Sequence, residues 1–209
     1  MPKKPLPTAV IASTRVQADL DALVRQLGHK TSAWKSASLK KGKYSFPKNP
    51  GVYCFVLPES ALPKSRQLVL HGRTFGKPGA RYQLQVTYVY EPKKLPGTEK
   101  LVVYVGKATN ISNRIAGHLS ANTKATTNQV LRGLVGLAHH YVTGGLLEGA
   151  KKKLQRYGAV YFLEHFHGNE LVKFSPGLMA GECHVAERDL LEIKLIAAFA
   201  PPFNVKAER

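Results

Sequence analysis

Acidic side chains are scarce in this chain: 13 Asp and Glu stand against 31 Lys and Arg in 209 residues, a formal charge of +18. A surface of that sign disfavours cationic partners and seeks polyanions, whether nucleic acid, an anionic membrane face or an acidic protein. Long apolar runs are missing too, so no segment is expected to span a bilayer, which takes about 18 consecutive apolar residues or more. A strongly apolar helix face flanked by aromatics, the requirement for lying in a membrane interface, is also lacking, and no membrane partner is expected. Cysteine is limited to Cys54, in an apolar strand-like run, and Cys183, in a loop-like segment. Such a pair makes neither a disulfide framework nor a zinc knuckle, and both are expected to be reduced thiols. The opening residues, with Pro2, Lys3, Lys4, Pro5 and Pro7, lack the apolar centre of an export signal, so a cytoplasmic protein is expected.

What is present suffices for one real core, since 44% of the residues are hydrophobic. Residues 1–50 divide into a basic arm over about the first ten, a helix from Ser13 to Leu27 with Val16, Leu20, Leu23, Val24 and Leu27 at helical spacing, and a basic linker. In that linker lysines alternate with Trp34, Tyr44 and Phe46. Two roles stay open for it: phosphate contact with aromatic packing on bases or sugars, or a linker whose aromatics tuck against the core. Gly51 to Leu57 is continuously apolar and predicts a strand covered on both faces. Leu68–Phe75 and Arg81–Tyr90 flank a Gly-Lys-Pro-Gly turn, and Tyr82, Leu84, Val86, Tyr88 and Tyr90 alternate as in a hairpin with one wet face. A second buried strand is expected at Leu101–Val105, followed by a helix from Thr109 to Leu119 capped by Thr109 or Asn110. Further helices are predicted over 128–140 and 146–157, a hairpin over 159–166 and 170–174, and a last helix over Val185–Phe199. Strands and helices mixed in this order predict an α+β fold.

Four fragments gain meaning when taken together. Gly51-Val52-Tyr53 opens the first buried strand and Tyr104-Val105-Gly106-Lys107 closes the second; Arg114 and His118 lie on the helix after it, and Glu192 precedes Pro201-Pro202-Phe203-Asn204. Each alone arises by chance often; in this order they resemble the GIY-YIG nuclease family, over roughly residues 50–57, 101–119 and 186–205. The resemblance implies a small, mainly antiparallel sheet flanked by helices, occupying 51–205. It leaves 58–100 as an inserted β-hairpin lobe and 120–160 as a helical insertion. It implies a divalent-metal-dependent DNA endonuclease with Tyr53 on the water-activating side, Tyr104 positioning water or phosphate, and Glu192 holding the metal. Among family settings a stand-alone restriction or defence enzyme is favoured; a repair or mobile-element nuclease and a non-cleaving binder on the same scaffold are the alternatives. Double-stranded DNA is the expected partner, and a palindromic target would call for a homodimer or successive nicking.

The residue types suit that chemistry. Arg114 supplies a permanent planar cation able to grip two phosphate oxygens, and His118, four positions on, shares its helix face. One carboxylate completed by water and phosphate oxygens is a shell for Mg2+ or Mn2+ and not for zinc, with Glu192 the ligand and Glu187 a weaker substitute. A tyrosine is a poor base at neutral pH without a cationic neighbour, and Lys107 and His118 are the candidates. Gly106-Lys107 ahead of a helix start also suits a nearby phosphate. Asn204 is expected to order the site. His139 and His140 are adjacent and cannot face one ion. They, like His165, His167 and His184, are expected to pack or lie at the surface. Target recognition is assigned to the two insertions and residues 1–50, with Arg66, Arg73, Lys77, Arg81, Lys93 and Lys94 as basic contacts in the first insertion.

Overall fold

The computed structural model describes residues 35–39, 45–75, 81–122, 128–138, 144–164 and 180–204. The side chains of 71–75, 81–85, 164 and 180–187 fall outside that description. The arm over 1–10, the helix over 13–27, Lys77 and the strand over 170–174 lie outside the described residues.

Continuous apolar sequence demands a central strand, because only there are both faces covered. Strand β2 (Gly51–Pro58) is buried along nearly its whole length and sits inside a four-stranded antiparallel sheet. The order is β1-β6-β2-β5, with β1 at Lys35–Ser38, β5 at Lys100–Ala108 and β6 at Ala159–Glu164. Alternation along β2 then fills two cores. Tyr53, Phe55 and Leu57 join Ile111, Ile115, Leu131, Leu147 and Leu154 on one face. Val52, Cys54 and Val56 join Leu191, Leu195 and Phe199 on the other. The first face is covered by α1 (Ile111–Leu119), α2 (Gln129–Leu134) and α3 (Gly144–Tyr157), the second by α4 (Ala180–Phe199). The expected α+β architecture of an antiparallel sheet flanked by helices is therefore found.

Between β2 and β5 the chain makes a short 3-10 turn (Glu59–Ala61) and a separate two-stranded ribbon, β3 (Gln67–Phe75) and β4 (Arg81–Val89). The ribbon is fastened at its base. Val69 N–H donates to Gly136 O at 3.0 Å, Ala138 N–H donates to Val69 O at 3.1 Å, and the Tyr88 hydroxyl donates to Pro202 O at 2.6 Å.

Three sequence expectations change. Part of the 30–50 linker is structural: Lys35–Ser38 is an edge strand registered on β6, Leu39 is fully buried, and Phe46 packs edge-on against Phe162 at 6.3 Å. Of its two open roles, core packing holds for Phe46. The helix expected over 128–140 ends at Leu134. Apolar periodicity continues past it, but Gly136 takes a φ of 78° and its N–H bonds back to Gly133 O, closing the helix. The last helix begins at Ala180, so Cys183 lies in a helix and not in a loop. Among the described residues no helix is long and apolar enough to cross a membrane.

Candidate active site

The two strands of the tyrosine motifs are hydrogen-bonded neighbours, and their register sets Tyr53 opposite Gly106 and Phe55 opposite Tyr104. The Tyr53 ring lies across the position a side chain would occupy at 106. A Cβ built there would stand 2.5 Å from the Tyr53 hydroxyl, 2.6 Å from its Cζ and 2.8 Å from Tyr104 Cε1. Glycine is thus required by close approach and not by an unusual backbone angle.

Helix α1 starts where Asn110 Oδ1 accepts from Asn113 N–H at 2.9 Å, a side-chain cap. Its entry is held by Ile111 N–H to Asn49 O and Ser112 N–H to Pro47 O. With Ile111, Ile115 and Leu119 in the core, the helical period swings Arg114 and His118 toward the end of β5. His118 is fully buried, its Nε2 2.7 Å from the Tyr53 hydroxyl. Its ring is 4.7 Å from that of Tyr104 and 5.5 Å from that of Phe55. With Nε2 unprotonated, the hydroxyl donates. Burial pushes the Tyr53 pKa well above the ordinary tyrosine value, and Tyr104 and Glu192 add to the rise. The hydrogen-bonding guanidinium of Arg114 pulls the other way. At rest Tyr53 therefore keeps its proton.

From the opposite face of the sheet, α4 brings acidic groups to the end of β5. Lys107 Nζ is 2.8 Å from Asp189 Oδ1 and 3.4 Å from Glu192 Oε2. The two carboxylates are one turn apart on the helix, which lets both meet one cation. Burial disfavours the charged Lys107, but Asp189 and Glu192 outweigh it and raise its pKa. Glu192 is itself nearly buried. Among the described residues no group of three or more His, Cys, Asp or Glu is assembled as a metal cage. The donor set is two hard carboxylate oxygens, which fits an oxygen-coordinated ion completed by water or phosphate and does not fit zinc.

A cleft of about 500 Å³ opens between α1 and α4, lined by Lys107, Thr109, Asn110, Asn113, Arg114, Arg188 and Asp189 among others. Tyr53, Tyr104, Arg114, His118, Lys107 and Glu192 thus meet around the end of β5. Of the two candidates for a cationic neighbour of Tyr53, His118 hydrogen-bonds it and Lys107 engages the α4 carboxylates, whereas the cation that lowers its pKa is Arg114, which was not among them. Asn204 stands behind the strand: Val105 N–H donates to its Oδ1 at 2.8 Å, and its Nδ2 donates to Val105 O at 2.7 Å. That pairing satisfies the outward N–H and C=O of Val105 on the edge of β5. Arg188 and Asp189 escaped sequence reasoning. The signal was available in their spacing, four and three positions before Glu192, which puts them on its side of the helix. The side chains of Glu187 and His184 lie outside the described residues, as do His139, His140, His165 and His167.

Comparison with known proteins supplies one match: the family model for the GIY-YIG catalytic domain covers residues 51–209. No curated protein and no solved structure matches the chain.

Proposed function

We propose, from the premise that this chain belongs to the GIY-YIG family and is an endonuclease hydrolysing phosphodiester bonds in DNA, that Tyr53 and His118 activate the attacking water. The observation that carries this is the 2.7 Å contact between the Tyr53 hydroxyl and His118 Nε2. A buried tyrosine with a raised pKa cannot wait as a phenolate, so the proton must move in concert: water gives one to Tyr53 oxygen as Tyr53 passes its own to His118. No free phenolate is required. Arg114 grips the phosphate on which negative charge grows, and its bond to Tyr53 links the clamp to the base. Tyr104, packed against both Tyr53 and His118, positions the water or the phosphate. Lys107 pairs with the Glu192 carboxylate and orients it. Asn204 holds β5, and with it Gly106 and Lys107, in place.

One Mg2+ or Mn2+ ion held by Glu192 would supply charge stabilisation at the departing oxygen. The favoured setting is a stand-alone restriction or defence nuclease with a sequence-specific target in double-stranded DNA, acting as a homodimer if that target is palindromic. Two features support it: the +18 charge and a ribbon with nine residues in each strand, a shape that the major groove admits.

Supercoiled plasmid incubated with and without Mg2+ tests these proposals. Discrete fragments indicate a sequence-specific enzyme, a smear a nonspecific nuclease, and a shifted but intact plasmid a binder that does not cut. Glu192→Ala should abolish cutting and leave binding, since it removes an ion ligand and no phosphate contact. Cutting at the wild-type rate by Glu192→Ala would refute the metal assignment.

A further inference from the structure

We propose that Arg188 is a second phosphate-binding point, so that the cleft takes two successive phosphates of one DNA strand and not the scissile one alone. The inference rests on the nuclease function and the Arg114 clamp argued above. It starts from the cost of burying a cation. Arg188 is only 6% exposed, and a guanidinium so enclosed is destabilising unless an anion meets it. Among the described residues no carboxylate forms an ion pair with it. The two carboxylates that follow on the same helix, Asp189 and Glu192, are turned to Lys107 instead. What Arg188 does face is the cleft, which it lines from α4 while Arg114, Asn110 and Asn113 line it from α1.

The charges in that space lead to the same conclusion. Lys107 is held by two carboxylates, and the cleft is also lined by two guanidiniums from different helices, Arg114 and Arg188. Arg114 interacts with Tyr53 and belongs with the phosphate under attack. Arg188 stands on the other wall, suited to the neighbouring phosphate, and a guanidinium's planar fork matches two phosphate oxygens at once. At about 500 Å³ the cleft is on the scale of a site for a whole small molecule, more room than a single phosphate needs. Gripping two points on one strand would fix the strand's direction through the site, which one point cannot do.

The test measures duplex affinity of the full chain across a salt series without divalent ion. For Arg188→Gln the slope of log affinity against log salt should shrink by about 0.9, the loss of one phosphate contact, with equal weakening on unrelated sequences. Arg188→Lys should keep the slope and still lose affinity. Replacing the phosphate next to a mapped cut by a neutral methylphosphonate should weaken binding to the wild-type protein and add nothing to Arg188→Gln. An unchanged slope in Arg188→Gln, or a wild-type affinity indifferent to that methylphosphonate, overturns the proposal. Should Arg188→Gln fail to fold, the wild-type methylphosphonate measurement decides. Failure of the wild type to cut plasmid would instead count against the nuclease function, leaving the salt slope to judge Arg188 on its own.

Discussion

Adding one methyl group at Gly106 should disable the enzyme. The Cβ of Gly106→Ala would stand 2.5 Å from the Tyr53 hydroxyl, about 0.9 Å short of ordinary contact at 3.4 Å, and 2.6 Å from the ring carbon behind it. Neither atom can yield cheaply. Tyr53 is fully buried, its ring is packed on Phe55 and Tyr104, and its hydroxyl is bonded to His118. The strain costs about 1–3 kcal/mol as overpacking, a fall of roughly 2–12 °C in melting temperature for a chain of this size. Relief requires the hydroxyl to move by most of an ångström, and a displacement of about 1 Å in a reacting group costs on the order of 100-fold in rate. Single-turnover linearisation of supercoiled plasmid, paired with thermal melting, reads both effects. A variant that melts normally and cuts within about 3-fold of wild type would refute the packing argument and the placement of Tyr53 at the reacting centre.

Two further perturbations probe the scaffold. Asn204→Ala removes both hydrogen bonds to Val105 on the edge of β5; at about 1 kcal/mol each, urea unfolding should show a loss of about 2 kcal/mol with unchanged m. An unshifted midpoint would mean that water replaces the asparagine at no cost. Burial pushes the Cys54 thiol up to about 12 from an ordinary 9, against a backbone hydrogen bond from Tyr161. Above pH 9 the unfolded chain releases a proton that the folded one retains, so stability is full below that pH. It should fall by about 1.4 kcal/mol per unit as pH rises toward 12. Urea melts at pH 8 and 10 should show that loss in wild type and a smaller one in Cys54→Ala; equal losses would assign the slope to other groups.

The parts of the fold legible in the sequence were those whose pattern has one physical solution. The apolar run at 51–57 has the length and the flanking prolines of a covered strand, and the alternation from Tyr82 to Tyr90 has the period of a hairpin strand. The cap was readable to within one position, since Thr109 and Asn110 both suit it, and Asn110 is the one that takes it. Less legible was β1, because Lys35–Ser38 has no apolar pattern and is a strand only through its pairing with β6. Periodicity overran the end of α2 because apolar residues continue through the turn at Gly136. At the site, the motif residues converge as short patterns implied, but what each one touches depends on tertiary packing. That Lys107 is engaged by Asp189 and Glu192, and that Asn204 clasps a strand edge, follow from α4 crossing the sheet at a place no local spacing encodes.

The central claim is that a neutral, buried phenol relays the water's proton to the imidazole beside it. Tyr53→Phe removes that one oxygen and keeps the ring. The decisive measurement is its single-turnover rate on supercoiled plasmid with Mg2+, alongside duplex affinity. The expected result is a loss of about 100-fold or more in cleavage, in the range of general-base contributions, with affinity unchanged. Cleavage at the wild-type rate by Tyr53→Phe would contradict the account.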